Sequence, residues 1–359
     1  MTRPDVAVVG LGPAGRALAH RLLARGATVL AVDPHPERPW LPTYGGWAHQ
    51  LPDWLPQRVV GSRSSRTVLV ARGRYDLQGT YVVLDNAAVQ RELRLDGAEV
   101  RTAWIPDAEL PRLADVVVDC RGAARGHHGP KQAAHGVLLQ PSAAERVLGD
   151  AEAILMDWRP SDGSADWGRR PPSFCYVTPL PDGRVLAEET CLAGDPPLPR
   201  SELASRLTAR LALHGVEPRD WRGADVERVL IPMLPPPPVL PNRFGAAGDE
   251  LNPITGYSVF ASLARADGAA RTLLGSGRLP VRGDPWRRAA LRALLRLGPR
   301  GVVDLFDAFG RLPADAQRVI LDAHAPARRL VGALARQWAL MPPRGRGDLI
   351  VATAKGVRS

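Results

Sequence analysis

Residues Asp5-Val-Ala-Val-Val-Gly-Leu-Gly-Pro-Ala-Gly15 run a short apolar strand directly into a Gly-x-Gly-x-x-Gly turn. Arg16 to Arg25 then reads as a helix with apolar residues at Leu18, Ala19, Leu22 and Leu23, stopped by Gly26. Ala27 to Val32 reads as a second strand ending at Asp33. A strand, a glycine turn, a helix and a strand closing on an acid make a dinucleotide-binding βαβ unit. Gly10 allows the tight turn, Gly12 lets backbone approach a pyrophosphate, and Gly15 lets the helix pack on the strand. Pro13 and Ala14 lie inside the motif. The helix start offers free N–H groups and the positive end of its dipole to phosphates. Asp33, 23 residues after Gly10, is placed to accept hydrogen bonds from a ribose.

Two later stretches make FAD the expected dinucleotide. Asp115-Val-Val-Val-Asp-Cys-Arg-Gly122 is an apolar strand closing on Asp119 and Gly122. Phe244 to Tyr257 holds Gly245 and Gly248, then Pro253-Ile-Thr-Gly-Tyr257, between a Pro-rich loop and a helix expected near Gly256. Small residues there let backbone approach a flat ring system. The expected fold is α/β: a discontinuous Rossmann-like FAD-binding domain (1–125 and 241–275), a mainly β substrate domain (126–240) and a C-terminal helical part (276–359). In the substrate domain, Ser173 to Leu180 and Arg184 to Thr190 read as strands joined by a hairpin turn at Pro181-Asp-Gly183.

At 359 residues, 45% hydrophobic and 23% charged, the chain is long enough for more than one domain and has an ordinary globular composition. No apolar run approaches the length of a membrane span. Three cysteines, Cys120, Cys175 and Cys191, have no C-x-x-C spacing, which argues against a disulfide scaffold or structural zinc and suits a reducing cytoplasm. The His127-His128 pair sits on a Gly-flanked loop and reads as solvent-exposed, so no metal is expected. The net charge is +10, and 45 of the 47 basic residues are arginines. A basic surface alone is only an electrostatic footprint, and no nucleic-acid partner is expected.

The chain resembles the FAD-dependent lycopene cyclase family from Asp5 to about Leu263. The resemblance is carried by Thr43-Tyr-Gly-Gly-Trp47, Tyr81-Val-Val-Leu-Asp-Asn86, Lys131-Gln-Ala-Ala-His-Gly136, Leu155-Met-Asp-Trp-Arg159, Leu186-Ala-Glu-Glu-Thr190 and Gly248 to Ser258. Family members usually place an acidic pair after the tryptophan, where His49 and Gln50 stand here. The resemblance implies a non-redox cyclisation of a carotenoid or related polyene. An alkene is protonated, a tertiary carbocation is closed into a six-membered ring, and a proton is lost. It also implies a reduced FAD beside the cation, NAD(P)H as the reductant, and Glu188 or Glu189 as the acid.

Adjacent side chains on a strand point to opposite faces, so one of the two glutamates is expected to reach the pocket while the other makes structural bonds. The family motif favours Glu188. Tyr44, Gly45, Trp47 and Trp158, with Tyr257, are the expected substrate-side residues. A flavin monooxygenase or isoprenoid reductase shares the glycine signatures and is the alternative enzyme class. A polyene dissolves only in membranes, so a peripheral contact on the inner face is expected. Trp286 to Leu297, with Arg288, Arg292 and Arg296 on one stripe, is the helix read for it; a plain surface cap is its other reading.

Overall fold

The computed structural model describes residues 3–122, 128–168, 170–221, 226–281 and 283–354. His127 lies outside the described residues; His128 is exposed. The chain opens with β1 (Val6–Val9), α1 (Pro13–Leu23) and β2 (Val29–Asp33), followed by β3 (Gly45–Trp47), β4 (Val60–Ser64), β5 (Thr67–Val70), β6 (Arg74–Leu77) and β7 (Tyr81–Leu84). Next come α2 (Asn86–Glu92), β8 (Glu99–Thr102), β9 (Val116–Asp119), β10 (Lys131–Leu139), α3 (Pro141–Leu148), β11 (Ala153–Asp157), β12 (Phe174–Pro179), β13 (Val185–Gly194), α4 (Arg200–Leu213), β14 (Val226–Pro232) and β15 (Asn242–Arg243). The rest is helical: α5 (Val259–Ser276), α6 (Pro285–Arg296), α7 (Pro299–Gly310), α8 (Ala314–Leu321), α9 (Ala327–Leu340) and α10 (Pro343–Ala354).

Five parallel strands, in the order β15-β9-β1-β2-β8, make the nucleotide-binding sheet. Its strands come from three separated stretches of chain, as a discontinuous Rossmann-like domain requires. Strand β1 is buried along its whole length, which is what an all-parallel sheet covered on both faces demands. Helices α1 and α5 pack together through Leu18, Leu22, Leu263, Ala266 and Ala270, and Arg21 and Arg25 both pair with Asp267 across that contact. Helix α1 begins at Pro13, three residues before the expected start, because a proline at the first helical position is already preset for the helix.

A seven-stranded sheet, β14-β10-β13-β12-β11-β5-β6, carries the second half of the molecule. Two of its strands, β5 and β6, come from within 1–125. Its β12 and β13 are the expected hairpin, closed by Leu180 N–H to Arg184 O at 2.8 Å with Gly183 at φ +84°. Strand β13 alternates strictly. Ala187 packs with Leu207 and Leu211 of α4 on one face, and Leu186 and Leu192 pack with Phe306 of α7 on the other. A three-stranded sheet, β3-β7-β4, is the third and smallest.

The expected basic helix is α6. Arg288, Arg292 and Arg296 are exposed on it, but Leu291 and Leu294 are buried in the protein core. Its apolar side is therefore taken up by packing, which leaves Trp286 and the arginines outside. Among the described residues no helix is long and apolar enough to cross a membrane.

Candidate active site

A single large cavity of about 1560 Å³ runs from the Gly10–Ala14 turn, past Tyr257, to Glu188 on β13. At the turn, each glycine does a different job. Gly10 has φ +97°, and a Cβ there would lie 2.7 Å from the backbone of Arg121. A Cβ on Gly15 would lie 1.9 Å from the Gly10 carbonyl. Nothing lies within 4 Å of the Cβ position of Gly12, which opens onto the cavity. Gly12 is also the N-cap of α1 and offers no capping side chain, so the helix N-terminus is left to a ligand. Asp33 lines the cavity and holds the turn: its Oδ2 accepts from Leu11 N–H at 2.7 Å and its Oδ1 from His35 N–H at 2.7 Å. Each oxygen keeps a lone pair for a ribose hydroxyl.

Thr255, Gly256 and Tyr257 line the same cavity, as does Gly122. Gly256 has φ +74° in a tight turn closed by its N–H to Asn252 O at 2.8 Å. Asn252 also donates to the carbonyls of Ile320 and Leu321, tying this turn to α8. An open helix start, an empty space over Gly12 and a carboxylate at ribose distance fit a dinucleotide flavin. These residues would hold it.

Glu188 is buried on the apolar wall formed with Leu186, Leu192, Phe174 and Tyr176. It accepts a hydrogen bond from Thr190 Oγ1 at 2.9 Å. Burial, and then the charge of Glu227, push its carboxyl up to about 8. Glu189 points the other way, into the α4 face. Arg210 grips it with two hydrogen bonds, 2.8 and 3.1 Å, and Ser173 Oγ donates at 2.6 Å. Both partners of that ion pair are almost wholly buried. Removing one member of a buried pair leaves an uncompensated charge. Arg210→Met is therefore expected to lower unfolding free energy by about 3–5 kcal/mol, measured by denaturant titration; a loss below 1 kcal/mol would show that the pair carries no such weight.

Around Glu188 stands a cluster of phenols. Tyr81 and Tyr176 share a hydrogen bond at 3.2 Å, and Tyr257 bonds to Tyr81. Trp47 meets Tyr81 edge-on at 5.4 Å between centroids. Tyr257 leaves 44% of its surface open toward the cavity it lines, while its hydroxyl end sits among Tyr81 and Glu188. Burial lifts the hydroxyls of Tyr81 and Tyr257 well above the usual phenol range and that of Tyr44 to about 12, so all three stay neutral.

The cavity brings together Gly10, Gly12, Pro13, Ala14, Asp33, Tyr44, Gly45, Trp47, Gly122, Glu188, Thr255, Gly256 and Tyr257 from the sequence-based set. Gly15, Asp119, Trp158, Glu189, Gly248 and Pro253 are not on its wall. Asp119 instead takes three hydrogen bonds from Arg121, and it is Arg121 that reaches the cavity. Trp158 is 1% exposed and stacks on Phe306 at 4.5 Å, behind the wall. Gly248 and Pro253 are buried and shape the loop. His49 and Gln50 both line the cavity, and Gln50 Oε1 accepts from Trp47 N–H at 3.0 Å, a role any acceptor of that size could fill.

Three contributors escaped the sequence reading. Tyr176 was within reach of it: Tyr176 and Glu188 lie equally far from Asp182, the centre of the hairpin turn, and they are cross-strand partners. Glu227 on β14 gave no local signal. Helices α8 and α9 supply a wall, including Arg318, Val319, Leu321 and Ala333. Among the described residues no group of three or more His, Cys, Asp or Glu side chains could hold a metal.

A family model described as "Lycopene cyclase protein" matches residues 5–105 and 95–332. The chloroplastic neoxanthin synthase of Solanum tuberosum is 31% identical over 362 residues, which cover 85% of this chain and 72% of that protein. An uncharacterized carotenoid cyclase of Deinococcus radiodurans is 29% identical over 377 residues, covering 93% of this chain and 90% of that one. Among solved structures, a flavoprotein/dehydrogenase from Cytophaga hutchinsonii has a TM-score of 0.56 at 13% identity, covering 94% of this chain and all of the other (100%). The p-nitrophenol 4-monooxygenase of Pseudomonas putida has a TM-score of 0.52 at 15% identity, covering 92% and 97%. At such identities these two structures show a shared fold.

Proposed function

The chain belongs to the lycopene cyclase family, and from that premise we propose that it closes a ring at the end of an acyclic carotenoid without net electron transfer. The observation that carries this reading is Glu188, a buried, uncharged-prone carboxyl on an apolar wall that shares one cavity with the dinucleotide turn. Protonating an alkene carbon needs an acid that still holds its proton at the working pH, placed where water cannot compete. Glu188 gives its proton to the terminal alkene, and a tertiary carbocation forms. The neighbouring double bond attacks it, a six-membered ring closes, and one proton leaves.

The faces of Tyr44, Trp47 and Tyr257 line the path of the positive charge, and each aromatic face contributes up to about 2 kcal/mol in a desolvated site. Helices α8 and α9 cover the cavity against water. Gly10, Gly12, Asp33 and Thr255–Tyr257 would hold FAD, which, when bound and reduced by NAD(P)H, would supply negative charge that stabilises the cation. Trp104 and Leu230 are exposed and also line the cavity. They mark the rim where an apolar polyene leaves a membrane, with the protein resting on its cytoplasmic face.

Expression in a lycopene-accumulating bacterium tests the reading. The expected pigment has the mass of lycopene and an altered retention; unchanged lycopene, or a product heavier by oxygen, would contradict it. The pH profile is a second test. Only protonated Glu188 can act as the acid, so kcat/KM is expected to fall as pH rises through about 8. A decline already complete near the ordinary glutamate value would mean that another group is the acid.

A further inference from the structure

The seven-stranded sheet sets a second carboxyl group opposite Glu188. Glu188 on β13 and Glu227 on β14 are both cross-strand partners of Gly136, on the strand between them. Partners in register point to the same face, so the two side chains flank a residue that has none. Their Cα atoms stand roughly 10 Å apart by ordinary strand spacing. Both line the cavity. A Cβ at Gly136 would lie 2.7 Å from Leu186 Cδ1 and 3.3 Å from Glu188 Cβ, so glycine keeps the space between the acids clear.

The two acids are not equivalent. Glu227 accepts two hydrogen bonds from Thr43, from N–H at 2.8 Å and from Oγ1 at 2.6 Å. Glu188 accepts one, from Thr190. Donors favour the ionised form, so the structure separates a better carboxylate from a better carboxylic acid. The other titratable groups around the pair are phenols: Tyr81, Tyr176 and Tyr257 by Glu188 and Tyr44 by Glu227. Arg38 acts on Tyr44, and Arg228, next to Glu227 on β14 and paired with His135, also lines the cavity.

Resting on the reading of Glu188 as the acid, we propose that Glu227 is the base that removes the proton lost at ring closure. The Glu188 O–H bond breaks as the alkene C–H bond forms. The second alkene's electron pair forms the ring carbon–carbon bond. A C–H bond beside the new cation then breaks, its electron pair becomes the ring double bond, and its proton goes to Glu227. One proton enters the substrate and one leaves. Glu227 then releases this proton to solvent and Glu188 takes one up from solvent, which restores the start with no oxidant or reductant consumed.

The test uses the full-length flavin-loaded protein with lycopene in D₂O. Wild type is expected to give cyclic product with one deuterium per ring and unlabelled residual lycopene. Glu227→Gln should lower product by about a hundredfold or more while residual lycopene gains deuterium, because the cation still forms and reverts. Glu188→Gln should give neither product nor label, and Glu227→Asp should recover part of the product. Glu227→Gln with wild-type turnover, or with lost product and no label in the lycopene, would overturn the assignment.

A readout without substrate separates the two claims. Infrared titration of the Glu188 carboxyl should move to lower pH in Glu227→Gln, since a like charge has gone. An unmoved midpoint would refute the pairing. Failure of wild type to cyclise lycopene, with the midpoint shifted, would instead sink the cyclase reading and leave the pair standing.

Discussion

Glu188→Gln is expected to reduce ring formation by about 10⁴-fold, the upper range for loss of a general acid, with flavin still bound. The glutamine keeps the size of the side chain and can still accept from Thr190 Oγ1, so the wall of the cavity is preserved. What it loses is the acidic proton. No described neighbour replaces it. Glu189 faces α4 and is held by Arg210, and the surrounding phenols are pushed above their usual range by burial, which makes them weaker acids still. Product quantified per bound flavin checks this, and activity within tenfold of wild type would remove Glu188 from the mechanism.

Gly12→Val is expected to yield a folded protein without flavin. The Cβ position of Gly12 is open on the protein side and its backbone, at φ −63° and ψ −178°, suits any L residue. The side chain would enter the cavity at the start of α1, where the pyrophosphate needs backbone N–H groups. Gly15→Ala makes the contrast. There the added carbon would lie 1.9 Å from a backbone oxygen, and the helix cannot pack on its strand, so the fold itself should fail. Visible absorbance read alongside thermal unfolding separates the two outcomes. A yellow Gly12→Val protein would show that the cofactor does not lie over this turn.

What the sequence made legible was mostly local. The turn at Gly10–Gly15 follows from residue spacing alone, because strand, glycine and helix signals sit within one stretch of chain. The opposite facing of Glu188 and Glu189 follows from the two-residue period of a strand, and the hairpin turn at Pro181–Gly183 fixes which residues stand across from them. Glu227 was beyond reach because its relation to Glu188 is set by the pairing of β10 with β14, a register between segments about a hundred residues apart. Trp158 was expected on the substrate side from its motif, Leu155 to Arg159, but Phe306, from α7, covers it. Asp119 was read as a ligand group from its place at a strand end. The arginine two residues on takes its carboxylate instead. The C-terminal helices were read for charge at a membrane, while α8 and α9 wall the site with Ala316, Val319 and Ala333 beside Arg318 and Arg336.

The central claim is that a carboxyl proton, and no electron pair, is delivered to the polyene. Cyclisation of lycopene by the reduced holoprotein in D₂O, followed by mass spectrometry of the product, tests it most directly. The account predicts a ring product with lycopene's elemental composition in which each ring has exchanged a single hydrogen for deuterium. A product that has gained oxygen, that differs by two hydrogens, or whose rings are free of deuterium would contradict it.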